Sequence, residues 1–164
     1  RLPFSFPTRL RPHLNAAVGF DQLADDTYAV DMGGTGSLTK ESAGNLTMTG
    51  HPSYAVGTTV TAGTLARDTD TLRRAITHNA AVVFDQLADG TYAGDMDGTG
   101  SLTKENAGNL TMTGDHSYAG GTTVTAGTLT GDTDSLQGAI TNNAAVDFDQ
   151  LADGTYAGDM DGTG

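Results

Sequence analysis

The residues best suited to hold a ligand are carboxylates set beside glycines. Asp95 and Asp97 flank Met96 and run into Gly98, Thr99 and Gly100, and the same six letters return from Asp159 to Gly164. Two hard oxygen donors next to a flexible loop suit calcium. The equivalent segment one copy earlier keeps Asp31 but has Gly33 in place of the second acid. Asp95, Asp97, Asp159 and Asp161 are therefore weak metal candidates only, and a solvated acidic corner is the plainer reading. His13, His51, His78 and His116 stand at positions that do not recur. Ligands of a repeated site should recur, so these are read as surface histidines. There is no Gly-x-Ser-x-Gly elbow and no Asp-Ser-Gly loop to present a nucleophile. Gly98 to Lys104 lacks the Gly-Lys-Ser/Thr ending of a phosphate loop, and Lys104 is expected to cap a corner or pair with nearby acids. Asp85, Asp89, Asp147 and Asp149 could line an acidic groove, but near-identical repetition gives a ladder where catalysis needs one asymmetric cluster. No catalytic residue and no cofactor is expected, and the region is read as no enzyme.

What positions these residues is a repeat. A 64-residue block at 20–83 is written again at 84–147, with 50 of 64 positions identical, and residues 148–164 repeat 84–100 letter for letter. Internal duplication of this kind specifies a stack of units. Residues 15–164 are expected to form one solenoid, with residues 1–14 a non-repeat arm, either poorly ordered or a divergent cap. The chain opens without Met and stops inside a repeat, so export signals are expected elsewhere.

Composition agrees with a β-rich stack. The 23 glycines, abundant threonine and only two lysines and two glutamates leave no run of helix formers; threonine and valine favour strands, and Gly, Asn and Asp favour tight corners. There is no cysteine, so packing and backbone pairing must hold the fold. The formal charge of −12 divides into +3 before residue 20, −3 and −8 in the two copies, and −4 in the third. That balance excludes a nucleic-acid partner, which needs clustered Lys and Arg. No stretch is apolar enough to span a bilayer as a helix.

Alternation marks short strands. Leu110 and Met112 share one face and Thr111 the other, and Val124 and Ala126 share a face. Leu129 falls five residues after Val124, the wrong parity for one flat strand, so the chain must bend at Ala126 and Gly127. Ala144, Val146 and Phe148 alternate with Asp147 and Asp149. Two-residue hairpin loops are nearly missing, which argues against an antiparallel sandwich. Sections of about 21 residues suit one coil of a β-solenoid, giving about three coils per 64-residue repeat at a spacing of about 4.8 Å. Acids on adjacent coils then lie within the screening length of about 8 Å, so low salt should loosen the stack.

From Gly98 to Leu129 the pattern Leu102, Lys104, Gly108, Leu110 with Met112, Gly114, Tyr118, Gly120 to Val124 and Gly127 to Leu129 resembles the autotransporter-associated β-strand repeat, also called the passenger-associated transport repeat. Copy one carries the same set from Gly34 to Leu65. The family usually has glycine where this chain has Ser42 and Asn106, an Asn where it has Pro52 and His116, and paired glycine where Val56 stands. The resemblance implies an all-β, right-handed parallel β-helix: a structural repeat region, a stalk or spacer that supports export-coupled folding and adhesion. It also implies a partner in the same polypeptide, a C-terminal outer-membrane β-barrel, and display at the bacterial cell surface after passage through the periplasm and outer membrane. A host-surface or matrix ligand is left unidentified. The alternatives are a polysaccharide-active β-helix enzyme and a threonine-ladder module, ice-binding in type, using Thr111 and Thr113 or Thr122, Thr123 and Thr125.

Overall fold

Parallel pairing runs through the whole array. The computed structural model describes residues 13–164 apart from 52 and 55, so the expected arm lies outside the described residues except at its end, where His13–Leu14 pairs with Gly33–Gly34. Every ladder between the described strands is parallel, and the described residues contain no helix. The chain winds as a β-solenoid of about seven coils.

Each coil has three sides. The first face stacks Val18–Asp21, Leu38–Glu41, Thr58–Val60, Ile76–His78 and Met96–Asp97. The second stacks eight strands, from Asp26–Tyr28 through Asn45–Met48, Thr64–Arg67, Ala81–Asp85, Leu102–Glu105, Thr122–Val124 and Ile140–Asn142 to Met160–Gly162. The third is divided. His13–Leu14, Gly33–Gly34 and Ser53–Tyr54 form its lower sheet, and Gly90–Tyr92, Leu110–Met112, Thr128–Gly131 and Ala145–Phe148 its upper one. Between them the chain makes a tight turn at residues 69–71, closed by Leu72 N–H donating to the Asp68 carbonyl at 3.0 Å, and Leu72 fills the interior there instead of a strand.

The strands form because alternate residues are apolar, and only one parity can face in. Leu46, Leu65, Val82 and Leu102 stand in register on the second face, all essentially inaccessible to solvent, followed by Thr122 and Ile140. Each such aliphatic burial contributes about 1.5–3 kcal/mol. Leu110, Met112, Val124 and Leu129 all point inward as alternation requires, and Gly127 turns the corner with φ +69°.

One copy does not close on a whole number of coils. Val18 pairs with Leu38, Leu38 with Thr58 and Thr58 with Ile76, so three coils carry the first face from Val18 to Ile76. The counterpart of Val18 in the next copy is Val82, which lies beyond Ile76 by one more side. It sits on the second face, paired with Leu65 and Leu102. Val146, the same position one copy later, is on the third face, paired with Leu129. Each copy therefore spans three coils and one extra side, and the next copy begins one face further round. Short strands such as Met96–Asp97 supply that extra side.

In-register stacking also sets like charges side by side. Asp21 lies opposite Glu41, and Asp85 opposite Glu105. Such pairs are destabilising by a few tenths of a kcal/mol to about 1 kcal/mol. Glu105→Gln is expected to raise the melting temperature of the chain, with most of the gain gone in 1 M NaCl; a gain that is the same at both salts would mean that charge is not its source.

Candidate functional site

The most organised polar centre is a corner built twice, around Lys40 and Lys104. Leu38–Glu41 and Leu102–Glu105 share the inward parity of Leu and Lys, so each lysine side chain enters the interior and is fully buried. Its ammonium is satisfied by backbone alone. Lys104 Nζ donates to the carbonyls of Glu105, Asn106 and Ala126 at 2.8, 2.7 and 3.0 Å. Lys40 repeats this with Glu41, Ser42 and Ala62 at 2.6, 2.7 and 3.3 Å. One cation thus ties the corner of its own coil to the corner of the next. Burial holds both amines below the usual lysine range, while Asp21, and in copy two Asp85 and Asp89, pull the other way.

The residue after the strand takes the left-handed conformation: Ser42 has φ +59° and Asn106 φ +62°. Few side chains tolerate it, and Asn and Ser do so by bonding locally. Here Ser42 Oγ donates to Asp21 of the previous coil, and Asn106 Nδ2 to Asp85. A second lock recurs at another corner. The Asp25 and Asp89 carboxylates accept the backbone N–H of Asn45 and Asn109, one coil on, at 2.9 and 2.8 Å. Acidic residues here cap the next coil.

The passenger-associated-transport-repeat family model matches residues 38–66 and 102–130, the two segments that start at the lysine-bearing strands and end in the next coil. Both copies carry a passenger-associated-transport repeat. The chain is also similar to the adhesin BmaC autotransporter of Brucella suis biovar 1 (strain 1330), at 40% identity over 162 residues. The match covers 80% of this chain but 5% of that relative, so the passenger repeat spans a small part of the protein it matches. No solved structure matches it.

The other candidates fall apart in space. Asp95 Oδ1 accepts the Asp115 N–H at 3.1 Å, and Asp97 faces outward beside Thr77. Asp159 accepts the Ile140 N–H through its carbonyl, and Asp161 lies beside Thr141 on the second face. Among the described residues no three His, Asp or Glu side chains converge as a cation-binding group. Asp85 and Asp147 occupy different faces, opposite Glu105 and Thr130 respectively, and Asp89 is engaged as a corner cap. Asp85, Asp89 and Asp147 thus do not assemble an acidic groove, in keeping with the argument from repetition.

Threonine rows exist, though not as expected. Thr39, Thr59 and Thr77 stack outward on the first face, Thr103, Thr123 and Thr141 on the second, and Thr91, Thr111 and Thr130 on the third. Each row meets an acid at the next coil: Asp97, Asp161 and Asp147. Thr122, expected outward, is buried and shares a hydrogen bond of 2.5 Å with the Tyr118 hydroxyl. Rows cut off after three coils present no extended flat lattice.

The histidine reading needs correction. His51 is exposed and the side chain of His13 lies outside the described residues, but His78 and His116 are buried in the core. Parity could have found them: His78 follows Ile76 by two residues and His116 precedes Tyr118 by two, so both share an inward phase.

Proposed function

We propose that this passenger repeat region is a non-catalytic stalk, exported through the outer membrane by a C-terminal β-barrel of the same polypeptide and displayed outside the cell. There it holds an adhesive region, coded elsewhere, away from the surface. The observation that carries the reading is the locality of the pairing. Each described strand pairs only with strands of the coil just before it or just after it. A coil needs only the coil before it, so a chain threaded in extended form can fold as it emerges, and once in each copy a buried lysine already in place clamps a carbonyl of the next coil. Low contact order of this kind favours rapid sequential folding. The absence of cysteine suits the same route, since no crosslink can form before passage. The similarity to an adhesin supports the adhesive context. The carboxylates of Asp95, Asp97, Asp159 and Asp161 solvate corners in this reading.

A stack gains stability with each neighbour it acquires, because interface terms grow with copy number and the exposed ends do not. A chain extended by two further copies is expected to melt well above the 164-residue chain; equal midpoints would refute the stacking account. The stalk role is tested on cells by deleting residues 84–147 from the displayed passenger. Less protease-resistant passenger and weaker adhesion are expected, and unchanged levels of both would sink it.

A further inference from the structure

Two interior imidazoles have no part in the corner locks. His78 ends the first-face strand Ile76–His78, and His116 bridges to Met96 on the same face, two coils beyond Ile76. Both are essentially dry, at 0% and 3% exposure. His78 Nδ1 donates to the Ala80 carbonyl at 3.1 Å, while its Nε2 has no hydrogen-bond partner. Neither ring nitrogen of His116 has one. Two tyrosines enclose the pair. The Tyr118 ring centroid is 5.2 Å from that of His78 and 6.4 Å from that of His116, and Tyr92 stacks on His116 at 5.9 Å and 24°. The phenol hydroxyls are occupied: Tyr118 with Thr122, and Tyr92 donating to the Arg74 and Asp95 carbonyls at 2.7 and 3.1 Å.

The interior thus suits a neutral imidazole and gives no partner to an imidazolium. The charged groups that face it lie toward the outside: Asp97 toward His78, and Asp95, Asp115 and Asp132 toward His116. Their attraction is outweighed by burial, which pushes both rings below the ordinary histidine range, and each proton on one ring would oppose a proton on the other. The lanes themselves do not require histidine. His116 continues a lane filled by Ile76 and Met96, and the counterpart of His78 in the following copy is Asn142.

We propose that His78 and His116 form an acid-sensitive seam that runs from the end of copy one into the middle of copy two: neutral, they seal the interior of these coils, and on taking up protons from solvent they force the coils apart. The folded chain holds these rings less basic than the unfolded chain does, so it binds fewer protons near neutrality. Stability is complete above the ordinary imidazole value of about 6.5 and is lost as pH falls from there through the folded values. Free carboxyl groups titrate near pH 4, below the span from 7.5 to 5.5, and free imidazoles titrate inside it.

The test is amide hydrogen exchange of the 164-residue chain at pH 7.5 and 5.5, corrected for intrinsic exchange, with urea midpoints at both values. Opening around Tyr118 and Thr122 is expected to become about tenfold more frequent at pH 5.5, the effect of a one-unit difference on one group, and the urea midpoint to fall. The double variant His78→Asn, His116→Met should lose this dependence, and His51→Asn, altering an exposed ring, should keep it. Equal dependence in the double variant, or none in the unaltered chain, would overturn the proposal. Should the double variant not fold, imidazole titration by NMR of the unaltered chain decides: two rings titrating below 6.5 support the seam, and rings titrating at or above it refute it.

Discussion

Replacing Lys104 with methionine is expected to lower the melting temperature by about 6–12 °C. The substitution keeps most of the aliphatic stem and removes the ammonium, so the inward carbonyls of Asn106 and Ala126 lose the donor they share, while that of Glu105 keeps the Gln86 N–H at 3.2 Å. An unsatisfied buried acceptor costs about 1–3 kcal/mol where water cannot reach it and less where it can. A sum of about 3 kcal/mol converts to that temperature range for a domain of this size. Lys40→Met should cost a similar amount, and the two should add, because the corners share no partner. Arg73→Met supplies the contrast. Its pairing with Asp70 at 3.4 Å joins two side chains about two-thirds or more exposed, and removing it should shift stability by no more than about 0.5 kcal/mol. A loss at Lys104 no larger than at Arg73 would mean that the buried ammonium is not what clamps the coils.

The second large effect is expected at Gly98. Its φ of +114° belongs to a region that side chains rarely adopt, and a Cβ there would stand 2.2 Å from the His78 carbonyl oxygen of the coil below. Backbone of a packed coil cannot yield as a flexible side chain can. Gly98→Ala must therefore separate two coils or distort the corner, at a cost of about 3 kcal/mol or more. Gly138 separates the two causes. It also has positive φ, +73°, but an added Cβ would meet nothing within 4 Å. Gly138→Ala should cost only the conformational term, about 1 kcal/mol. Urea midpoints of the two variants measure the difference, and equal losses would show that close approach between coils adds nothing.

Much of this fold is legible residue by residue. The inward set of Leu110, Met112, Val124 and Leu129 follows from period-two alternation and one parity break, and that break lies at Gly127. Lys104 also follows, since it is two residues from Leu102 and had to face the same way. What could not be read is the number of sides in a copy. A side of two residues, such as Gly33–Gly34 or Met96–Asp97, is too short to show alternation, and at residues 69–71 a turn replaces a strand altogether. Both look like loop in the sequence. The buried histidines were obscured for another reason. Their failure to recur suggested a surface position, whereas parity alone placed them inside, and in a solenoid parity reflects the packing more directly.

The extra side in every copy has a consequence for how such an array can evolve. Near-identical blocks invite gain or loss of a whole unit. Because one unit is three coils and a third, each such event both shifts everything beyond it by about 16 Å along the axis and swivels it through a third of a revolution. Only changes in multiples of three would lengthen the shaft while leaving its distal end pointing in the original direction.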